Sequence, residues 1–114
     1  MMTDRGSTVD APQDLHVALI QADTVWHDAK ANYRLYGELA LAIDRPCDLI
    51  ALPETFSSGF TLESAQCAES EDGPGMAWMR GLAERTGAVI AGSMILRKHD
   101  GCYNSLVWMR PDGS

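Results

Sequence analysis

The sequence predicts an α/β fold with mainly parallel strands. Three observations carry that expectation: short, wholly apolar runs; apolar stripes at helical spacing between them; and Gly, Pro and Asp gathered where one pattern gives way to the next. Leu15 to Gln21 (LHVALIQ) is apolar on both faces, the pattern of a strand buried inside a sheet. Asp28 is placed to cap a helix beginning near Ala29. Leu35, Leu39, Ala42 and Ile43 then form an apolar stripe, with Lys30, Arg34 and Glu38 elsewhere around the axis, and Pro46 is expected to close the helix. Leu49 to Leu52 (LIAL) reads as a second short buried strand. It runs into Pro53, Glu54 and a loop rich in Ser, Gly and Thr that ends near Ser64. Gly73-Pro74-Gly75 marks a turn, and Met76, Met79, Leu82 and Ala83 make a second helical stripe. Gly87 ends it, as glycine commonly does just past a helix. Ala88 to Leu96 is predicted as a strand, His99-Asp100-Gly101 as a hairpin turn, and Cys102 to Met109 as the returning strand. Pro111-Asp112-Gly113 spells one more turn.

The expected order is therefore β-α-β-loop-α-β-β-turn, with helices packed on a sheet that is parallel in its first part. Residues 1–14 are read as a disordered tail and residues 15–114 as one incomplete domain. No internal repeat or low-complexity tract interrupts it. The last turn prepares a hairpin, so the strand ending at Met109 is expected to present an open edge carrying Leu106, Val107 and Trp108. The expectation that follows is a chain that continues beyond Ser114.

Composition narrows the function. The chain of 114 residues is 46% hydrophobic and 22% charged, a globular composition. Nine basic residues face 16 acidic ones for a net charge of −7, and nothing gathers Lys or Arg into a stripe. A nucleic-acid partner and an anionic membrane surface are both disfavoured by that balance. No uncharged apolar run is long enough to span a bilayer. Met1 to Gln13 is polar and lacks the apolar middle of a signal peptide, so a cytoplasmic protein is expected. Three cysteines without regular spacing suggest reduced thiols rather than a disulfide framework.

Glu54 is the first candidate for chemistry. It follows an apolar strand and opens a loop, which puts it at a strand's C-terminal end, where open α/β sheets place ligands. A carboxylate half out of an apolar core has its charged form disfavoured by desolvation, which suits general base work near neutral pH. The plain alternative is an exposed Glu opening a surface loop. Asn104 is the second. It shares a strand face with Leu106 and Trp108, so its amide needs partners, for which the backbone of a nearby loop is the expected source. A purely structural hydrogen bond is the commoner role for such a residue. None of Cys47, Cys67 and Cys102 opens a helix beside a base, so ordinary thiols are the favoured reading. His16, His27 and His99 make no metal-binding spacing, and no metal or cofactor is expected. No phosphate-binding glycine loop occurs, and Ala91-Gly92-Ser93 lacks the flanking glycines of a serine nucleophile elbow. The Trp and Met residues of the second helix are read as core.

At this point the strings themselves become informative. LHVALIQADTVWHDAKANY, DLIALPETFSSGF, GAVIAGSMI and GCYNSLVWMRPDG, in this order and spacing, resemble the nitrilase superfamily of carbon–nitrogen hydrolases over nearly everything from Leu15 to Ser114. The segment after Glu54 is similar to that of the omega-amidase branch. The resemblance implies the N-terminal part of an α-β-β-α sandwich, usually paired into homodimers. It also implies hydrolysis of a small amide to carboxylate and ammonia by a Glu-Lys-Cys triad, without cofactor or metal. Only the glutamate has a match here, Glu54. Asn104 matches a recurrent asparagine assigned to supporting the site, and Phe60 is carried over as a pocket wall that contacts substrate. Lys30 and Lys98 do not match the lysine, and no cysteine matches the nucleophile. The rival expectations are a catalytically inactive fragment and a non-enzymatic subunit that pairs through its open sheet edge.

Overall fold

A computed structural model describes residues 13–114, so the expected disorder of the N-terminal tail falls almost wholly outside the described residues. The order of elements is β1 (Val17–Leu19), α1 (Ala29–Leu41), β2 (Leu49–Ala51), α2 (Ser64–Cys67), α3 (Pro74–Thr86), β3 (Val89–Lys98) and β4 (Gly101–Met109). The strands form one sheet in the order β1-β2-β3-β4, with β1, β2 and β3 parallel and β4 antiparallel to β3. This is the expected α/β topology. The short helix α2 was not anticipated.

One face of the sheet meets the helices. Asp28 accepts the Ala31 N–H at 3.1 Å and so starts α1. That helix buries Asn32, Tyr36 and Ala40, while Leu39 is exposed. The expected stripe is therefore misphased. Leu35 and Ile43 pack only at the margin of the core, because the tyrosine covers more area than a leucine and sets which face turns inward. The helix also ends at Leu41, well before Pro46, so the proline follows the break rather than making it.

Helix α3 begins with Pro74 in its first turn and ends at Gly87, whose φ of 72° and N–H bond to the Ala83 carbonyl form a left-handed cap. It buries Met79, Leu82 and Ala83 as expected, and Gly75 besides. The Glu69 carboxylate caps its start from outside, taking the Gly75 N–H at 2.6 Å and the Tyr33 hydroxyl on its other oxygen. A negative group suits that end of a helix. Between the layers, Ile50, Ile90, Met94, Val107 and Met109 of the sheet close the core with Phe56.

The other face of the sheet is open. Register places Leu19, Ala51, Ala91 and Trp108 in one row across it and Ser93 beside Leu106 in the next. Leu15, Val17, Leu19, Leu106 and Trp108 are exposed there. This corrects the expectation for the first strand: it is shorter than Leu15 to Gln21, lies at the sheet's edge and is covered on one face only. Apolar side chains on both sides of a strand show that both faces can be buried; they do not say that this chain buries both. Strand β4 is the opposite edge, as expected for Leu106 to Trp108. Among the described residues, no helix is long and apolar enough to cross a membrane.

Candidate active site

The site grows from the end of β2. Leu52 still follows the sheet, its N–H bonding the Ala91 carbonyl at 2.8 Å. The chain then lifts away, and Thr55 adopts a left-handed φ of 48°. That conformation is uncommon for a β-branched residue and costs on the order of 1–3 kcal/mol, so it persists only where neighbours over-determine it. Three contacts do so. The Thr55 N–H donates to Ser93 Oγ at 2.8 Å, the Thr55 hydroxyl donates to the Glu54 carbonyl at 2.8 Å, and the Phe56 N–H donates to the Ser93 carbonyl at 3.2 Å. Phe56 is fully buried, edge-on to Tyr36 and tilted over Trp78 at 5.3 Å between ring centroids. Its burial contributes about 2–3 kcal/mol and pins the loop directly after Glu54.

Gly92 explains why the strand beneath is so plain. A Cβ there would lie 3.1 Å from the Leu52 Cβ and 3.2 Å from the Phe56 ring, so a larger residue would push the loop off the sheet. Ala91-Gly92-Ser93 thus has a physical reason unrelated to a serine nucleophile: a close approach followed by a hydrogen-bond acceptor.

Loop 57–61 is held from the side by the segment before α1. The Asn32 amide is fully buried and makes three hydrogen bonds, donating to the Val25 carbonyl at 2.7 Å and the Ser57 carbonyl at 2.9 Å and accepting the Val25 N–H at 2.7 Å. Trp26 donates from its indole to the Phe60 carbonyl at 3.0 Å. His27, also left-handed with φ 56°, donates its N–H to the Ser58 carbonyl at 2.8 Å and meets the Thr61 hydroxyl through its ring at 2.8 Å.

The Glu54 side chain emerges from this frame on the open side of the sheet. Ala51, Leu52, Ala91, Gly92, Ser93 and Leu106 line a shallow hollow with it. Asn104 Nδ2 donates to Glu54 Oε2 at 2.8 Å. Asn104 therefore finds the carboxylate itself, not the loop backbone that was expected. Glu54 is also exposed rather than half-buried. The desolvation expected of it is not supplied by these residues, because the face it stands on has no cover. Phe60 is 78% exposed and lies outside the hollow, at the far end of the loop.

Cys47, Cys67 and Cys102 are free, partly buried thiols. Burial, helped by the charge of nearby Glu63, raises the Cys67 thiol above its ordinary range, the opposite of activation. Lys98 pairs with Glu71 at 3.5 Å at the hairpin end of β3. Three residues that build the site had not been assigned to it from sequence: Thr55 and Asn32, and Ser93, which was weighed only as a nucleophile. Asn32 left one signal: asparagine inside a helix is poorly favoured and asks for a specific hydrogen-bonding task.

Comparison with known proteins sets this geometry in context. The family model described as carbon-nitrogen hydrolase matches residues 16–114. Omega-amidase YafV of Yersinia enterocolitica is 38% identical over 100 residues, which cover 88% of this chain and 38% of that protein. The Escherichia coli K12 protein of the same name is 35% identical over the same shares of each. The chain thus spans 38% of the length of the curated relatives it matches. A CN-hydrolase superfamily protein from Xanthomonas campestris, solved with an arsenic adduct in its active site, superposes with a TM-score of 0.86. It is 46% identical, over 90% of this chain and 39% of that one. An N-terminal amidase bound to an Asn-Glu-Ala peptide superposes with a TM-score of 0.75 at 18% identity, over 88% of this chain and 26% of that one, a likeness of fold alone.

Proposed function

This chain belongs to the carbon-nitrogen hydrolase family, and on that premise we propose that it carries the general-base part of an omega-amidase-type site that hydrolyses a small dicarboxylic amide to carboxylate and ammonia. The observation that carries the reading is the placement of Glu54. It stands at the C-terminal end of a central parallel strand, on an over-determined turn, with Asn104 bonded to one carboxylate oxygen. The identity shared with the omega-amidases of Yersinia and Escherichia coli supports the choice of amide substrate.

In this reading Glu54 takes the proton of a cysteine thiol as the sulfur attacks the amide carbon. A lysine ammonium stabilises the oxyanion of the tetrahedral intermediate. Glu54 returns its proton to the leaving nitrogen as the C–N bond breaks, releasing ammonia and leaving a thioester. Glu54 then takes a proton from water, whose oxygen attacks the thioester carbon; the C–S bond breaks, Glu54 returns that proton to sulfur, and the carboxylic acid leaves with the thiol restored. Within this chain only Glu54 has a match to the triad, so the reaction belongs to an intact enzyme in which the lysine and cysteine complete it. Asn104 orients the base; Phe60, which stands outside the hollow of this chain, reaches substrate only in the completed pocket of the intact enzyme; and that enzyme pairs as a homodimer. No metal or organic cofactor takes part.

In the triad-complete enzyme, Glu54→Gln should abolish amide turnover and leave the circular dichroism spectrum and melting temperature nearly unchanged, because glutamine keeps the shape of glutamate and can still accept from Asn104. Turnover at the unmodified rate in that variant would remove Glu54 from the mechanism.

A further inference from the structure

We propose that Ser93 is the positioning residue of Glu54: by accepting the Thr55 N–H, its hydroxyl holds the turn that presents the carboxylate to Asn104 and the hollow. The proposal rests on Glu54 being the acid–base group.

The geometry points to Ser93 in three ways. First, Thr55 directly follows Glu54 and has the left-handed φ of 48°, so any relaxation of Thr55 towards the β region swings the Glu54 side chain. Second, Thr55 is buried, and the Ser93 hydroxyl is the acceptor that satisfies its N–H, at 2.8 Å. An alanine at position 93 would leave that donor buried without a partner, a state that drives local rearrangement. Third, Ser93 stands beside Leu106 in the register of β3 and β4, and Asn104, two residues before Leu106 on β4, lies on the same face. The base, its amide partner and the proposed positioning hydroxyl thus share one side of the sheet.

The backbone of Ser93 does a separate job. Its carbonyl receives the Phe56 N–H at 3.2 Å, and the Leu52 N–H bond to the Ala91 carbonyl lies alongside. Neither depends on the side chain at position 93. Loss of the hydroxyl should therefore loosen Glu54 without releasing Phe56 from the core.

The sequence supplies its own reporter. The chain contains only two asparagines, Asn32 and Asn104. Labelling with ¹⁵N-asparagine gives two side-chain amide groups in an NMR spectrum. Asn32 is fully buried and reports the fold; Asn104 is bonded to the Glu54 carboxylate and reports its position. Glu54→Gln marks where the Asn104 signal falls when that charged acceptor is lost.

In the 114-residue chain carrying Leu19→Lys to limit association through the open sheet face, Ser93→Ala should move the Asn104 amide signal towards its place in Glu54→Gln and leave the Asn32 signal where it is. Ser93→Thr keeps the acceptor and should keep the Asn104 signal at its native position. Ser93→Val has nearly the same shape as Ser93→Thr without the oxygen, and should behave like Ser93→Ala. An unmoved Asn104 signal in Ser93→Ala overturns the proposal. So does movement of both signals together, or identical spectra for Ser93→Thr and Ser93→Val, since either would make Ser93 a packing residue. The readout needs no turnover, so an inactive Glu54 in an amidase assay and a silent Asn104 in this spectrum are separate failures.

Discussion

Asn104 on β4 donates its amide hydrogen to Glu54 Oε2 at 2.8 Å, joining two residues fifty positions apart in the chain. Strand β3, which lies between β2 and β4, sets the reach of that bond, and nothing local to either residue does. A hydrogen bond to a charged group orients as well as stabilises it. In the triad-complete enzyme, Asn104→Ala should lower kcat roughly tenfold, about 1.4 kcal/mol of barrier, with a smaller change in KM. In the 114-residue chain, where both side chains are exposed, stability should shift by no more than about 0.5 kcal/mol. An undiminished kcat would leave Asn104 without a part in orienting the base.

Asn32 should behave in the opposite way. Its three hydrogen bonds are inside the protein, and truncation leaves the Val25 N–H and the Val25 and Ser57 carbonyls without their amide partner. Asn32→Ala is expected to destabilise the fold by about 3 kcal/mol, read from the midpoint of urea unfolding. A loss below about 1 kcal/mol would mean that water replaces the amide at no cost, and the site frame would then owe little to Asn32.

The open face of the sheet makes a prediction about the chain by itself. Leu19 is 81% exposed, Leu106 73% and Trp108 51%, and register places Leu19 and Trp108 in one row. A contiguous apolar face of this kind associates in water. The 114-residue chain should self-associate at micromolar concentration in sedimentation velocity, and the double variant Leu19→Lys, Leu106→Lys should reduce the association. A wild-type chain that stays monomeric at the same concentration would show that this face is not sticky enough to matter.

Tyr33 gives a pH dependence. Burial first, and then its hydrogen bond to Glu69 and the charge there, hold its phenol well above the ordinary tyrosine range. A group whose folded pKa is raised favours the protonated fold. Its contribution is fully present below the unfolded tyrosine value near 10 and is lost as pH rises towards the folded one. Tyr33 should therefore give no phenolate absorbance at about pH 11 while the protein remains folded. Tyr33→Phe should remove a signal that otherwise appears only with alkaline unfolding. A folded protein whose Tyr33 ionises near pH 10 would contradict the burial that the structure shows.

Much of this was legible beforehand, for reasons that can be named. Asp28 and Gly87 mark helix ends because capping is chemistry between near neighbours. Leu49 to Leu52 and Ala88 to Leu96 read as strands, against Leu49–Ala51 and Val89–Lys98 in the structure, because apolar runs and turn residues are local signals. Glu54 stood out because a carboxylate directly after a buried strand is unusual at short range. The stripe on α1 was read a quarter-turn off because Leu35 and Leu39 look as apolar as Tyr36, and the choice among them is made by Phe56 and the sheet, which arrive later in the chain.

The sequence by itself determined the order of elements apart from the short α2, the turn positions, the family and the one acid at a strand end, since each is written in residues close together or in a string long enough to be specific. The tertiary structure alone decided that Asn104 meets Glu54, that Ser93 holds Thr55, that Asn32 ties two loops, and that one sheet face stays uncovered. Each of these joins or compares segments whose separation in the chain is bridged only by the pairing of β2, β3 and β4. No periodicity in a single segment encodes which distant partner, or none, its outward side chains will face.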